Sequence, residues 1–381
     1  AEKPLAPPSD WSVVGNLRSE LALWALRFHG NPFAKARQSI DLGVRYKKGP
    51  FRVALGGHAE YDFAYLYKSE AYDGPTLDEY QGRLLPREAI IELSNGRFAL
   101  TAGYQIVAWG PADYLPTLDV ANPRDLREIG LTELENLRQP VLATRLGAFV
   151  GSHRFEAMMI HLPYFGLRSP PAGPYSNLTS IFPKEALFGK EYNHINPRFN
   201  QQFLLRWYYA GEWIDLALYA ATVFDQQGIL RINDMKTFLS NTAVDLDHTR
   251  YTLLGHSGAL PIRSWLVKWE VAFGLDRSFN TGPQPIGVVK LHRVNPMIGL
   301  SFTGIKNLNV ALEVSKPWLL SERNAELLFP ADKLFWVLRA SYSMLRNRIE
   351  LSAIGTIMGL RLEQGWVLRS EALFTVRDGL K

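Results

Sequence analysis

The side chains that could carry chemistry in this sequence are charged residues spaced two apart in long segments. In "RVALGGHAEYDFAYLY", Arg52, His58, Glu60 and Asp62 share one parity, and the residues between them are mostly apolar. Charged side chains along one face of a strand could line a water-filled passage and steer ions or sugars through it. They could equally form a structural network, in which ion pairs between neighbouring strands neutralise buried charge.

Signatures of enzyme and metal chemistry do not occur. The histidines are dispersed, and the sequence contains no HExxH pair, no GxSxG elbow and no glycine-rich phosphate loop between a strand and a helix. The absence of cysteine removes thiolate zinc sites and cysteine nucleophiles. We therefore predict a protein that is not an enzyme and that binds no metal and no cofactor. A hydrolase built on Ser257 and His256 is kept as an alternative, because only spatial geometry identifies such a pair.

Composition narrows the class of protein. Hydrophobic residues make up 47% of the chain, yet no run approaches the roughly 20 apolar residues of a transmembrane helix. The net charge of +5 comes from basic residues scattered singly among acids, which argues against a nucleic-acid partner.

An apolar period of two defines the elements that must position these charges. In "RFALTAGYQIVAWG", Phe98, Leu100 and Tyr104 share one parity, while Arg97 and Gln105 share the other. This alternation predicts β-strands, and many are long enough to cross a bilayer when tilted. The candidate strands cover residues 13–28, 35–46, 51–66, 86–94, 97–109, 140–149, 153–163, 200–210, 212–224, 249–258, 263–277, 296–304, 307–318, 332–345, 347–360 and 365–376.

The connections between these strands alternate in length. The predicted short turns are residues 47–50, 94–97, 151–153, 210–212, 305–307 and 346–348, with a slightly longer one at 256–261. The predicted long loops are residues 68–86, 110–139, 163–199, 225–248, 277–295 and 319–331. Short periplasmic turns and long extracellular loops are typical of outer-membrane barrels.

The fold prediction is an all-β protein, an antiparallel transmembrane β-barrel of about sixteen strands. Backbone groups in hydrocarbon must be paired, so an all-strand chain spans a membrane only as a closed barrel. We expect residues 1–12 to be a periplasmic lead left after removal of a signal peptide, and 13–381 to be one barrel domain. The chain ends in "SEALFTVRDGLK" without a closing aromatic residue, so a further hairpin would raise the count to eighteen. A soluble sandwich or propeller alternates too, but such broad apolar faces would need an extensive cover.

Aromatic girdles are expected at the ends of these strands. The tryptophans placed on candidate strands are Trp24, Trp109, Trp207, Trp213, Trp265, Trp269, Trp336 and Trp366.

If the polar side chains of each strand face inward, they line the lumen with charges of both signs. Strong ion selectivity is therefore not expected. The members of this predicted lining are Arg18, Glu20, Arg37, Asp41, Arg45, Arg52, His58, Glu60, Asp62, Glu92, Arg97, Gln105, Arg145, Arg154, Glu156, Arg206, Asp215, Lys268, Glu270, Glu313, Arg339, Arg369 and Glu371.

The loop at residues 110–139 is the second functional candidate. Asn122 followed by Pro123 predicts a helix that starts there and continues to about Leu137. A loop of this length is either functional or disordered, and we expect it to fold into or over the lumen as a constriction. The alternative is an external cap.

Part of this loop and the strand before it resemble a known protein family. "GRFALTAGYQIVAWGPADYLPTLDVANPRDLRE" resembles the strand and loop of the DUF1302 family of proteobacterial outer-membrane proteins, which show a Gln, a Trp-Gly, an Asp and an Asn-Pro-Arg-Asp in this order. A looser similarity links the chain to alginate-export and capsule-assembly barrels. The resemblance implies an outer-membrane channel, alone or with an inner-membrane lipid exporter. The matching positions are Gln105, Trp109, Gly110, Asp113, Asp119, Asn122, Pro123 and Asp125.

The functional prediction is a porin-like channel that passes a solute or an amphipathic molecule across the outer membrane of a Gram-negative bacterium. Expected partners are outer-membrane lipid and lipopolysaccharide, and an envelope export or assembly complex. One alternative is a plugged barrel that anchors such a complex, and the other is the barrel hydrolase. The sequence leaves the substrate, the direction of transport and the oligomeric state open.

Overall fold

The computed structural model describes residues 10–28, 30–128, 137–170, 173–175, 187–192, 200–231, 243–282, 287–320, 326–360 and 364–374. Strands dominate this part of the chain. A short helix, α1, covers Gly74–Tyr80, and single 3-10 turns cover Phe63–Tyr65 and Ser69–Ala71. Among the described residues, no helix has the length and apolarity to cross a membrane.

The strands follow one another along the described part of the chain. In chain order they are β1 Trp11–Phe28, β2 Asn31–Lys48, β3 Phe51–Asp62, β4 Gly82–Ser94, β5 Phe98–Gln105, β6 Asp125–Leu126, β7 Val141–Val150, β8 His153–Ile160, β9 Leu167–Arg168, β10 Leu187–Tyr192, β11 Gln202–Ala210, β12 Asp215–Phe224, β13 Ile229–Arg231, β14 Ala243–Asp247, β15 Arg250–Ile262, β16 Trp265–Thr281, β17 Gly287–Ile305, β18 Leu308–Ser315, β19 Trp318–Leu320, β20 Phe335–Met344, β21 Ile349–Met358 and β22 Trp366–Phe374.

Seventeen of these strands form one sheet. Each long strand pairs antiparallel with the next long strand in the sequence, from β1 through β22, and β19 pairs with β17 beside the end of β18. Two small sheets lie in the connections, β10-β14-β13 and β6-β9. Within the described residues, β1 pairs with β2 alone and β22 with β21 alone. The structure therefore confirms an all-β, mainly antiparallel architecture.

The sheet has two chemically different faces. The inner face, defined here as the face that contacts residues 106–128, carries most of the charged side chains. The outer face is apolar and exposed, as the period of two predicts. Its exposed side chains include Leu17, Leu42, Leu55, Ile91, Phe98, Leu146, Phe155, Leu205, Leu218, Phe273, Ile298 and Leu338.

Connections alternate in length between the two edges of the sheet, as predicted. One edge, the turn edge, holds short hairpin turns in which Gly49, Gly151, Arg263 and Asn307 have φ values of 55°, 56°, 56° and 65°. Positive φ in two-residue turns matches the right-handed twist of paired strands. The other edge, the loop edge, holds the long connections and one short connection, between Phe28 of β1 and Asn31 of β2. The turn-edge connections are residues 49–50, 95–97, 151–152, 211–214, 263–264, 306–307 and 345–348.

Each predicted strand segment overlaps a strand of the large sheet, and the differences lie at the boundaries. The predicted turn at residues 256–261 is wrong, because β15 continues to Ile262 and the chain reverses at Arg263–Ser264. The predicted loop at residues 277–295 is also wrong over most of its length, because a bulge near Arg277 lets β16 and β17 continue pairing to the loop edge. Residues 1–9 of the predicted lead at 1–12, and residues 375–381, lie outside the described residues, and β1 begins at Trp11.

Candidate functional site: a segment inserted on the inner face

Residues 106–128 leave the sheet after β5 and fold back over its inner face. We call them the inserted segment. Trp109 and Leu118 are 1% and 0% exposed, so the segment is packed rather than solvated. Trp109 was predicted to lie on a strand in an aromatic girdle. This prediction is wrong, because β5 ends at Gln105 and Trp109 is buried in the inserted segment. The apolar cluster that holds the segment consists of Val107, Trp109, Leu118, Ala121, Val141, Ala143, Met158, Ile160, Leu204, Ala217, Tyr219, Ala221, Val223, Tyr251, Leu253 and Ala272.

Asn122 ties the two ends of this excursion together. Its Oδ1 accepts the backbone N–H of Val107 at 2.7 Å, and its Nδ2 donates to the carbonyls of Gln105 at 3.2 Å and Gln139 at 2.7 Å. Gln105 in turn donates from Nε2 to the carbonyl of Ala143 over 3.0 Å. The exit and return of the chain are therefore fixed by one buried amide.

The predicted helix does not start at Asn122. The carbonyl of Pro123 accepts the N–H of Gln139 at 2.7 Å, and Asp125–Leu126 forms β6 with β9. The Asn122 side chain bonds three groups that are distant in sequence, so it is not available to cap N–H groups two or three residues ahead. The rest of the predicted helix, residues 129–136, lies outside the described residues.

Glu270 of β16 holds the first half of the inserted segment. Its side chain is fully buried. Oε1 accepts the N–H of Ala112 at 2.9 Å, and Oε2 accepts the N–H groups of Thr117 and Leu118 at 2.7 and 3.0 Å. Gly110 has φ +86°, and a Cβ at this position would overlap the Glu270 carboxylate. The buried charge is thus compensated by backbone donors that only a glycine-containing turn can bring so close.

Glu313 of β18 accepts backbone N–H groups in the same way, from the residues that lie between Ala112 and Thr117. It is 1% exposed, and its oxygens accept the N–H groups of Asp113, Tyr114 and Leu115 at 2.8, 2.9 and 2.8 Å. Lys268 forms an ion pair with the Asp113 side chain and lies 4.0 Å from Glu313. Two wall carboxylates therefore bind six backbone N–H groups of the inserted segment.

The remaining acids of the motif organise the segment internally. Asp119 accepts the N–H of Trp109 at 3.3 Å and Nε of Arg138 at 2.8 Å, and it pairs with Arg124 at 3.5 Å. Asp125 accepts Nε of Arg127 at 2.9 Å and Nη2 at 2.7 Å. Each of the three acids of the predicted constriction therefore has a charged partner, Lys268 for Asp113, Arg124 and Arg138 for Asp119, and Arg127 for Asp125.

Arg127 connects the segment to the helix above β4. Its Nη1 donates to the carbonyl of Glu79 over 2.6 Å, and its own carbonyl accepts the Tyr80 hydroxyl at 2.8 Å. Burial alone would lower the pKa of Arg127, but the hydrogen bonds and charge of Asp125 and the charges of Glu60 and Glu79 raise it above its ordinary value. The guanidinium is therefore a permanent buried cation held by acids on three elements.

Glu128, the last residue of the inserted segment, belongs to a second charge network, with residues of β2 and β3. Lys35 lies 2.8 Å from its carboxylate, and Arg37 donates to it as well. Arg37 also lies 3.4 Å from Glu60 and 3.3 Å from Asp62. Lys35 and Glu128 were not among the predicted lining residues, although Lys35 has the same parity as Arg37. Only the fold reveals that a loop carboxylate 91 positions later completes this network.

A third cluster has more cations than anions. Glu156 of β8 has a side chain only 1% exposed, and it lies 2.9 Å from Arg154, 3.0 Å from Arg206 and 3.9 Å from Arg145. Arg206 is directly opposite Glu156 in the β8–β11 register. It also approaches the segment, with its guanidinium 5.9 Å from the Trp109 ring centroid. One buried carboxylate thus serves three guanidinium groups.

Two adjoining cavities lie beside this cluster, toward the turn edge from the segment. One of about 210 Å³ includes Arg145, Arg154 and Glu156 in its wall, and one of about 310 Å³ includes Arg52 and Arg145. Glu92 and Thr101 line both cavities. The predicted lining residues of β3, β4, β5, β7 and β8 are therefore brought together around open space.

Other predicted residues form pairs along the sheet. Arg339 lies 3.7 Å from Glu350 and hydrogen-bonds Tyr114 of the segment, while Arg369 lies 3.6 Å from Glu371 on β22. Further distances are 2.8 Å for Asp41 to His58, 3.6 Å for Arg45 to Glu88 and 3.6 Å for Glu20 to Lys35.

Two placements differ from the sequence predictions. Arg97 is exposed in a turn at the edge of the sheet rather than on its inner face. Ser257 is buried and hydrogen-bonded to the Tyr219 hydroxyl at 3.0 Å, whereas its neighbour His256 is exposed on the outer face. Adjacent strand residues point to opposite faces, so Ser257 and His256 do not form a nucleophile–base pair. Within the described part of the chain, no group of three or more His, Asp or Glu side chains is arranged to hold a metal ion.

Comparisons with known proteins agree with this architecture. The model of a family described as a protein of unknown function, DUF1302, matches residues 26–317. Curated proteins give no match. OmpF of Salmonella typhi, solved in complex with daunomycin, has a TM-score of 0.51 and 10% identity over 91% of this chain and 89% of that chain. This likeness shows a porin-like fold and nothing beyond the fold.

Two further solved structures are less similar. A mutant of the Rh. blastica porin has a TM-score of 0.49 and 9% identity, over 95% of this chain and 98% of that one. OccAB3 of Acinetobacter baumannii has a TM-score of 0.44 and 14% identity, over 90% of this chain and 81% of that one.

Proposed function

Because this chain belongs to the DUF1302 family of proteins of unknown function, we propose its function from the geometry of the inner face. The protein is an outer-membrane channel of a Gram-negative bacterium, and it passes a polar or amphipathic solute. The inserted segment is its constriction. The observation that carries this proposal is the fixation of that segment across the inner face by Glu270 and Glu313.

The sheet closes into a barrel when β1 pairs with β22. An open edge in hydrocarbon would leave backbone N–H and C=O groups without partners, at a cost of several kcal/mol each. Both edge strands have their outer termini at the turn edge, and an even number of long antiparallel strands places the first and last antiparallel to each other. We therefore propose a barrel of about sixteen strands with the turns in the periplasm and the long connections outside.

The outer face supports a membrane location. Exposed leucine, isoleucine or phenylalanine side chains lie on every long strand except β18, whose outer-face leucines and valines are partly exposed. Together they form an apolar surface far larger than soluble proteins expose. Lipid and lipopolysaccharide are the partners that such a band requires. We propose no catalytic activity, because the inner-face charges are engaged in ion pairs and backbone contacts rather than aligned with a nucleophile.

A sealed barrel that anchors an envelope export or assembly complex is the second candidate. This candidate is favoured because the buried charges around the segment, such as Arg37, Glu128 and Glu270, all have ion-pair or hydrogen-bond partners. A barrel plugged in this way would hold its segment rigidly and conduct nothing.

Single-channel conductance in planar bilayers separates the two candidates. The protein is compared with a variant in which a short Gly-Ser linker replaces residues 111–138. A second variant, with the same linker replacing turn residues 345–348, controls for the insertion of a linker. A channel gives steady conductance that rises when the segment is removed and stays unchanged in the turn variant. Silence of the intact protein, with correct folding shown by circular dichroism, contradicts the channel and supports the anchor.

A further inference from the structure

Two arginines and one carboxylate meet at the loop edge, away from the inserted segment. Asp225 follows β12 and is buried. Arg277 of β16 donates to both of its oxygens, from Nε and from Nη2, the latter over 3.1 Å, and the Arg277 guanidinium lies 5.3 Å from the Tyr251 ring centroid. The N–H of Gln227 also donates to Oδ1 at 2.9 Å, so both carboxylate oxygens are engaged.

Arg293 of β17 has no such partner. Within the described residues it makes no hydrogen bond and no ion pair, and its Nε is buried without an acceptor. It is opposite Gly274 in the β16–β17 register, three residues before Arg277. The charges of Arg277 and of Asp225 both act on Arg293, so this cation lies near a second cation that already holds the acid in a bidentate pair. Arg293 is half-buried, and a buried donor such as its Nε normally has an acceptor in a folded protein.

A cavity of about 190 Å³ opens beside Arg293. Its wall includes Ser278, Lys333, Pro330 and Phe335. The Ser278 hydroxyl is also buried and has no hydrogen-bond partner among the described residues. The ammonium of Lys333 likewise has no ion pair in this part of the chain. Three donors thus border one small space that contains a single acid, Asp225, already bonded to Arg277.

We propose that this cavity binds an oxyanion group, a carboxylate or a phosphate, which accepts hydrogen bonds from Arg293 and Ser278 and is attracted by Lys333. The volume is below the roughly 300 to 1,000 Å³ of pockets for drug-sized ligands, so the site takes a small anion or the charged end of a larger molecule. The proline and phenylalanine of the wall provide an apolar surface for an attached carbon chain. The site does not depend on conduction, so it stands or falls separately from the channel proposal.

Thermal unfolding of the full chain in a nonionic detergent without phosphate tests the proposal. Sodium phosphate, sodium acetate and sodium chloride are compared at equal ionic strength, and a fourth sample contains micelles with phosphatidylglycerol. A ligand that binds the folded state raises the melting temperature as its concentration exceeds its dissociation constant. We expect a rise with phosphate or acetate over chloride. A rise confined to phosphatidylglycerol would identify a lipid headgroup as the source of the same oxyanion.

The variant Arg293→Met removes the unpaired charge while keeping a long side chain. We expect it to melt at or above the temperature of the unmodified protein without anion, and to lose the anion-dependent rise. Ser278→Ala should weaken binding by roughly tenfold, because a hydrogen bond to a charged group contributes about 1.5 kcal/mol or more. Arg348→Met makes the same chemical change at an exposed turn and should keep the full rise. The proposal is overturned if no oxyanion raises the melting temperature, or if Arg293→Met retains the rise.

Discussion

The carboxylate of Glu270 occupies the space that a side chain at position 110 would need, because an ideal Cβ on Gly110 overlaps Oε1. The Trp-Gly pair of the motif can be understood from this contact. Trp109 fills the apolar cluster, and Gly110 turns the chain at φ +86° so that the next N–H groups reach Glu270. The glycine is required by a carboxylate on a strand 160 residues later in the sequence.

Gly110→Ala should destabilise the protein and loosen the inserted segment. The positive φ alone costs about 1 kcal/mol for alanine, and displacement of the Glu270 carboxylate adds the loss of charge-assisted hydrogen bonds. Urea unfolding in detergent micelles measures the change. Gly96→Ala is a matched control, since Gly96 has the same φ of +86° and open space where the Cβ would lie. Equal losses in the two variants would show that the Glu270 contact does not matter.

Substitution of Glu313 tests whether carboxylates fasten the segment. Glu313→Gln keeps the shape but leaves one acceptor oxygen, so at most two of the three hydrogen bonds survive as neutral ones and the new NH2 group faces the remaining N–H. We therefore expect a loss of roughly 1–3 kcal/mol in the free energy of unfolding. Glu313→Ala should cost more, because buried N–H groups are then left unsatisfied.

Glu350→Gln is the comparison for Glu313, because Glu350 is partly exposed and, among the described residues, its ion pair is with Arg339 at 3.7 Å. Exposed pairs contribute about 0–1 kcal/mol. Proteolysis of the native protein gives a second readout, since a freed segment becomes accessible to protease. An unchanged cleavage rate in Glu313→Ala would contradict the fastening role.

The period of two was sufficient to predict the sheet, because side chains that alternate between lipid-like and polar surroundings mark their strands regardless of context. The length of β16 and β17 was not predictable in this way. Beyond the bulge near Arg277, buried polar residues such as Ser278 and Asn280 replace the apolar alternation, and their strand character depends on loop contacts such as Leu230 to Asn280 at 2.8 Å.

The site was only partly predictable, because its main contacts join residues far apart in the sequence. Glu270 was predicted to face inward, but its role as an acceptor for residues 112–118 depends on which strand faces the loop. Asn122 and Pro123 have the local pattern of a helix start, and tertiary partners overrode it. Arg293 stood out by no pattern, since an unpaired charge is recognised only when its surroundings are known.

The pair of Asp225 and Arg277 predicts an acid-sensitive step in stability. Burial alone would raise the pKa of Asp225, but the charge and hydrogen bonds of Arg277 and the N–H of Gln227 hold it below its ordinary value. A carboxyl with a lowered pKa stabilises the folded state above the unfolded pKa of about 3.9, and this contribution is lost as the pH falls toward the folded pKa. Unfolding free energies should therefore drop below about pH 4.

Asp225→Asn identifies the source of that drop. At neutral pH the variant should be less stable than the unmodified protein, because Arg277 is left buried without its carboxylate. As the pH falls below about 4, the difference between the two proteins should shrink, since protonation removes the same charge from Asp225. Asp276→Asn, at an exposed position next to Arg277 in sequence, should show no such convergence. A constant difference between Asp225→Asn and the unmodified protein at all pH values would contradict the assignment.

The three arginines around Glu156 predict a modest anion preference of the proposed channel. The cluster has three guanidinium groups and one buried carboxylate, and Arg145 and Arg154 line the cavity on the turn-edge side of the segment. The double variant Arg145→Gln/Arg154→Gln should shift the reversal potential in a salt gradient toward cations.

Arg97→Gln removes a similar charge from an exposed turn at the same edge and should shift the reversal potential less. At about 0.1 M salt the Debye length is near 10 Å, so a charge that lines the passage acts on the ion directly and a charge at the rim is largely screened. The contrary result would be a reversal-potential shift per removed charge that is the same for Arg97→Gln as for the double variant. The charge of the whole surface, and not the Glu156 cluster, would then set the preference.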